Sequence, residues 1–299
     1  MSATVFRQYD RAALDREYDN AVKISADALK GHRARWAEQS LGARETISSV
    51  LDVPYGPSAA ERLDIFRPKQ TGLAPVQIYI HGGYWISNDK KDCSYVALGF
   101  VGAGFLNVVI NYGLIPTVAM TEQVRQCRSA VRWVAAHIRE YGGDPDQIYV
   151  TGHSAGGHLA VSLLTDPEIV PGLIKGITSL SGLYDLEPVR LSFVNEKLGL
   201  SEQDVAGLSP VRQEPRDVVP RLLLTIGARE GDEYIRQMTE FATVWRHRMP
   251  HLVSAVMPET DHFSMRAALD DADSTICRLI WQTMATEKPN SNRLRGQEA

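Results

Sequence analysis

Gln147-Ile148-Tyr149-Val150-Thr151-Gly152-His153-Ser154-Ala155-Gly156-Gly157-His158 is the stretch on which the reading of this chain turns. It opens on a β-branched and aromatic run that reads as a buried strand, and the apolar residues 159–164 that follow read as a helix. Between the two lies Gly-x-Ser-x-Gly. Strand, sharp turn and helix in that order are the layout of a nucleophile elbow. The turn strains the serine backbone, and glycines occupy the flanking positions because a side chain does not fit there. It lifts the Ser154 hydroxyl clear of the sheet and aims the N-terminus of the next helix at developing negative charge.

Outward from the elbow, strands alternate with helices. Strand-like runs occupy 46–51 and 62–66, with a turn at Pro54-Tyr55-Gly56-Pro57 that implies an antiparallel start to the sheet. Further runs fall at 76–80, 105–112, 147–151, 173–179, 221–226 and 252–257. Helical patterns fill 90–101, 121–141, 232–248 and 265–284. The expectation is an α/β fold, a mostly parallel eight-stranded sheet with helices on both faces, formed by residues 1–299 as one domain.

Three segments depart from that rhythm. Residues 9–42 read as helical, with Leu14, Tyr18, Val22, Ala26 and Leu29 at near-helical spacing. This N-terminal extension, 1–42, either docks on the main body or roofs the site. Residues 182–220, with several prolines, are too long for a plain connection and predict a small helical cap. The polar tail 287–299 is expected to be disordered.

Composition narrows the class. With 299 residues the chain can bury a large core, and 44% hydrophobic with 23% charged residues is ordinary for a globular protein. A net charge of −4 with scattered basic residues argues against a nucleic-acid or anionic-membrane partner. The three cysteines, Cys93, Cys127 and Cys277, are far apart and match no disulfide or zinc pattern. They are expected to be free thiols. No metal or organic cofactor is called for. There is no basic segment leading into an apolar run, and no stretch approaches the roughly 18 apolar residues of a membrane span. A cytoplasmic protein acting on a small molecule is expected; a homodimer is compatible with the sequence, which encodes no oligomeric state.

A serine hydroxyl is a poor nucleophile near neutral pH and needs a base, itself oriented by a third group. In this architecture the order along the chain is serine, acid, histidine, with the acid after a late strand and the histidine after the last. Thr260-Asp261-His262-Phe263 directly follows the final strand, which singles out His262. His247 and His251 lie in or beside a charged helix end and read as surface residues. For the acid, Glu230 stands in the loop just past the 221–226 strand, whereas Asp232 and Glu233 read as helix N-terminal residues. Glu230 is the candidate and Asp232 its rival. Oxyanion donors are expected from the N–H groups of Ala155 and of Gly82 and Gly83, which end the 76–80 strand. Tyr84, Trp85 and Tyr184, with Phe193 open between pocket and packing, form a candidate aromatic substrate pocket.

His81-Gly82-Gly83-Tyr84-Trp85, the elbow, Ser181-Gly182-Leu183-Tyr184-Asp185-Leu186-Glu187-Pro188, Glu230-Gly231-Asp232-Glu233-Tyr234-Ile235-Arg236-Gln237 and the His262 loop together resemble the kynurenine formamidase-like branch of the α/β-hydrolases. The N-terminal Arg16-Glu17-Tyr18-Asp19-Asn20 is similar to that family as well. The family usually carries Asp where this chain has Glu230. A carboxylate one methylene longer still orients an imidazole in other α/β-hydrolases. The resemblance implies a serine hydrolase acting on an aryl formamide such as N-formyl-L-kynurenine. General carboxylesterases, amidases and carbamate hydrolases of small aromatic substrates are the alternative within the branch. A non-catalytic binding protein on the same scaffold is the reading outside it, and such proteins commonly lack the serine or the histidine.

Overall fold

The computed structural model describes residues 3–216 and 220–284. A short hairpin, β1 (Thr4–Phe6) and β2 (Tyr9–Asp10), leads into α1 (Arg11–Tyr18) and α2 (Ala26–Thr46). Then come β3 (Ser49–Pro54), β4 (Arg62–Phe66), β5 (Ala74–Ile80), α3 (Val96–Gly102), β6 (Leu106–Ile110) and α4 (Met120–His137). The elbow joins β7 (Gly143–His153) to α5 (Ala155–Ser162), and β8 (Ile174–Leu180) follows. Three short helices, α6 (Glu187–Arg190), α7 (Asn195–Leu198) and α8 (Glu202–Leu208), precede β9 (Arg221–Gly227) and α9 (Asp232–Trp245). The described chain closes with β10 (Leu252–Met257), α10 (His262–Ala267) and α11 (Thr275–Met284).

Eight strands form one sheet in the order β10-β9-β8-β7-β5-β6-β4-β3. β4 runs antiparallel to both β3 and β6, and every other pair is parallel. Side chains alternate across it with the period of two that a pleated strand imposes. Val76, Ile78 and Ile80 of β5 join one core with α1, α4, α5 and α9, while Tyr79 joins the other with α2, α3, α10 and α11. Helices therefore cover both faces. The helices declare their buried faces by spacing. Tyr234, Met238, Phe241, Ala242 and Trp245 of α9 are buried at intervals of four, three, one and three, one stripe of a 3.6-residue helix. A large apolar side chain such as Met238 or Phe241, withdrawn from water, contributes about 1.5–3 kcal/mol. Among the described residues no helix is long and apolar enough to cross a membrane.

The N-terminal segment is not one helix over 9–42. Tyr9 and Asp10 belong to the hairpin, and Asp10 caps α1 by accepting from Ala13 N at 2.9 Å. The chain leaves helical geometry at Asp19, makes a 3₁₀ turn, extends at Ile24, and restarts α2 at the Ser25 cap. That break shifts the register, so Val22 is exposed and Leu29 only half-buried. The segment 265–284 is also divided. Side chains of Asp271 and Ser274 bond the backbone N–H groups of Asp273 and Cys277, which stops one helix and starts the next. Residues 182–216 carry the short helices expected of that insertion. Asp217–Val219 of its 182–220 span, and the tail 287–299, lie outside the described residues.

Candidate active site

Ser154 sits at φ 57°, ψ −122°, between β7 and the first residue of α5. A non-glycine residue in that region is strained by about 1–3 kcal/mol and is held there only by its surroundings. The hold is visible. Ser154 N donates to Leu180 O at 2.8 Å, and Ser154 O accepts from the N–H groups of Gly157 and His158. A Cβ on Gly152 would meet Gly156 O at 2.0 Å, so the two arms of the turn touch only because glycine stands there.

Two loops at the same sheet edge bring the acid and the histidine together. Ala228 N donates to Met257 O and Arg229 N to Thr260 O, which laces the loop after β9 to the loop after β10. Asp261 caps α10 by accepting from the N–H groups of Phe263 and Ser264, and this fixes His262 as the first helical residue. His262 Nδ1 donates to Glu230 Oε2 at 2.6 Å. The other carboxylate oxygen of Glu230 accepts from Ser181 Oγ at 2.6 Å and from Gly227 N at 2.7 Å. Glu230 is completely buried, whereas Asp232 is exposed in the first turn of α9. Glu230, not Asp232, faces the imidazole. His247 and His251 are exposed and outside this cluster. Ser154 Oγ and His262 line one cavity, with no hydrogen bond between them in this state. Such contacts are often long in a free enzyme and tighten with substrate.

The loop after β5 supplies the third part. A Cβ on Gly82 would lie 2.9 Å from Ser154 Cβ, which puts this backbone directly beside the serine. Asn88 Nδ2 donates to Gly82 O, and Ser87 Oγ to Gly83 O, so both carbonyls are already engaged and the loop is fixed. Among the described residues, the N–H groups of Gly82, Gly83 and Ala155 donate to no protein acceptor.

The cavity that Ser154 and His262 share has a volume of about 890 Å³, within the usual range for a small-molecule site. Tyr84 and Phe193 line it; Trp85 and Tyr184 do not. Those two expectations are corrected. Trp85 is fully buried, its ring edge-on to His158 with centroids 5.2 Å apart and its Nε1 donating to His158 Nδ1. Tyr184 stacks on Phe241 at 4.5 Å and donates to Ser179 Oγ. Both are core aromatics whose polar atoms are satisfied inside the protein. The N-terminal extension forms part of the wall, through Tyr18, Asn20, Arg33 and Trp36. Tyr84 OH donates to Tyr18 O and meets Tyr234 OH, which also accepts from Asn20 Nδ2.

Two residues that hold the site, Ser181 and His153, are not singled out by sequence. Ser181, at φ 51°, anchors Glu230; the stretch it opens carries the family resemblance, but nothing in it points to a bond with the acid. His153 was in plain view as the second residue of the elbow motif. Its Nε2 donates to His262 O at 2.9 Å, tying the histidine loop to the serine strand. Burial holds His153 well below the usual histidine range, so its ring stays uncharged 4.7 Å from the His262 ring.

Burial also keeps other titratable groups neutral. The Cys93 and Cys277 thiols are pushed up to about 11 and that of Cys127 higher still, so these free cysteines are poor nucleophiles. His158 is lowered to about 4, and His81 is lowered too, chiefly by burial. Unfolding frees these imidazoles to bind protons near pH 6.5, so the unfolded state gains protons first as pH falls. Stability is thus whole above about pH 6.5 and declines toward pH 4, with His158 alone accounting for about 2 kcal/mol by about pH 5. Guanidinium denaturation at about pH 7.5 and about pH 5 checks this; equal midpoints would contradict neutral burial of the histidines.

Residues 63–168 match the BD-FAE family. A kynurenine formamidase of Salmo salar is 30% identical over 297 residues, covering 93% of this chain and 98% of that protein. Esterase LipQ of Mycobacterium tuberculosis is 36% identical over 157 residues, 48% of this chain and 37% of that one. Among solved structures, a candidate thioesterase from Silicibacter sp. TM1040 superposes with a TM-score of 0.78 at 28% identity, over 89% of this chain and 98% of that one.

Proposed function

This chain belongs to the kynurenine formamidase-like branch of the α/β-hydrolases, and from that premise we propose that it is a serine hydrolase using Ser154, His262 and Glu230. It hydrolyses ester or amide bonds, as its relatives do. The observation that carries the serine mechanism is the 2.6 Å bond from His262 Nδ1 to buried Glu230, behind the cavity that His262 shares with the strained Ser154. With the Nδ1 proton committed to Glu230, the Nε2 lone pair is free to take the Ser154 proton.

Ser154 Oγ attacks the substrate carbonyl as His262 Nε2 takes its proton. The carboxylate of Glu230 keeps the ring oriented and offsets the charge of the imidazolium. The carbonyl oxygen, now negative, accepts from the N–H groups of Ala155 and of Gly82 or Gly83; losing one such donor costs about 3 kcal/mol of transition-state stabilisation. His262 returns the proton to the leaving nitrogen or oxygen, and the C–N or C–O bond breaks. Water, deprotonated by His262, then attacks the acyl-serine and releases the acid.

The favoured substrate is an aryl formamide such as N-formyl-L-kynurenine, which yields formate and the free arylamine. Similarity to a kynurenine formamidase over nearly the whole of both chains supports it, and Tyr84 and Phe193 on the cavity wall suit an aromatic leaving group. Rates on N-formyl-L-kynurenine, short aryl acetates and aryl carbamates, compared side by side, test the assignment. The formamide is expected to have a kcat/KM at least about tenfold above the others, about 1.4 kcal/mol in favour of its transition state. Faster ester turnover would make the protein a general carboxylesterase.

A further inference from the structure

Arg266, on α10 one turn beyond His262, lines the active-site cavity yet is only 8% exposed. A guanidinium so withdrawn from water is normally paired with a carboxylate, because desolvating a lone cation is expensive. Arg266 has none. Its Nε donates to Tyr95 OH at 2.8 Å, its Nη2 reaches Cys93 Sγ at 3.7 Å, and the Trp36 ring lies 4.0 Å from its carbon centre. These partners are neutral. Its Nη1 makes no hydrogen bond to any described residue. The remaining charged residues of the lining, Asp19, Arg33, Asp92, Glu196 and Lys197, are half-exposed or exposed and are solvated without help. Among the described residues the cavity thus has one buried, permanently charged cation that no carboxylate of the protein pairs.

We propose that Arg266 binds a carboxylate carried by the substrate, so that the enzyme selects small acyl esters or amides bearing an acid group on the part of the molecule remote from the cleaved bond. The chemistry fits the side chain. A guanidinium presents a planar fork to a carboxylate, and the Tyr95 hydroxyl with the Trp36 face keeps that fork from rotating. The site lies one helical turn from the general base, on the same short helix, so it can hold the substrate in register with His262. N-Formyl-L-kynurenine has such an acid. The inference rests on the serine-hydrolase reading of this cavity and gives it a specificity element.

The test compares N-formyl-L-kynurenine with its α-carboxamide, and a ring-carboxylate phenyl acetate with its ring-carboxamide counterpart. The intact enzyme is expected to favour the acid of a pair by about 10-fold or more in kcat/KM, the range of a charge-assisted hydrogen bond. In Arg266→Gln that acid-over-amide ratio falls about 10- to 100-fold, with the loss carried by KM. Arg266→Lys keeps the charge but not the fork and falls between. Should Arg266→Gln not fold, inhibition of the intact enzyme decides: benzoate competes with substrate and benzamide does so at least about tenfold less well. Equal losses on acid and amide, no acid preference in the intact enzyme, or equal inhibition by benzoate and benzamide would overturn the carboxylate site alone. Absence of any turnover and of serine labelling would instead remove the hydrolase reading beneath it.

Discussion

Ser154→Ala is expected to lower kcat by about 10⁴- to 10⁶-fold and to abolish labelling by a fluorophosphonate, with the fold retained. The magnitude follows from what is lost. The two-step route through an acyl-serine disappears, and what remains is whatever the oxyanion donors and the binding cavity do for direct attack by water. Retention of the fold follows from where the strain resides. The φ of 57° at residue 154 is imposed by the Leu180, Gly157 and His158 backbone bonds, none of which involves the hydroxyl. Alanine keeps the Cβ and inherits the same strain, so circular dichroism and the melting temperature should match the parent. Activity surviving within about tenfold of the parent would take the elbow out of the mechanism.

His262→Ala is expected to cost nearly as much, about 10⁴-fold or more in kcat, and the double variant with Ser154→Ala should be little worse than either alone. In the proposed mechanism serine and imidazole act as one unit, since a hydroxyl without its base is scarcely more nucleophilic than water. Glu230 is already satisfied by Ser181 and Gly227, so removing the ring leaves a buried carboxylate with two of its three donors. That residual cost falls on stability rather than on the chemistry. A loss below about tenfold would point to another base, and the only rivals raised by position, His247 and His251, are exposed and lie outside the cavity lining.

The sheet was readable because its strands are β-branched runs bounded by Gly and Pro. The runs at 62–66 and 252–257 coincide with β4 and β10, and the others differ by a few residues at their ends. The loops carrying Ser154, Glu230, His262 and Gly82 could be read for a related reason: parallel strands put all their C-terminal ends at one edge. What sequence could not supply was side-chain direction where the backbone is irregular. Tyr84 and Trp85 have consecutive positive φ values of 48° and 60°; the first ring lines the cavity and the second is buried against His158. Two adjacent aromatics after a glycine pair look alike until those angles are known. Periodicity likewise reports that a helix has a buried face and not what lies against it, so the place of Trp36 beside Arg266 left no trace in the sequence. The unpaired charge of Arg266 is visible only once every carboxylate around it has been located.

The wall contributed by the N-terminal extension has a bearing on how the protein is made. Tyr18 and Asn20 hydrogen-bond to Glu233, Gln237 and Tyr234, Lys23 to the carbonyl of Glu230, and Arg35 to Asp270, all more than two hundred positions away. During translation these particular partners of the extension therefore arrive only when the last quarter of the chain has left the ribosome, although Tyr84 and Tyr95 are there to meet it earlier. Such distant pairings close late, after the loop entropy between them has been overcome. A nascent chain can thus assemble its central sheet, elbow included, before Glu230, Tyr234 and Gln237 close the N-terminal side of the chamber.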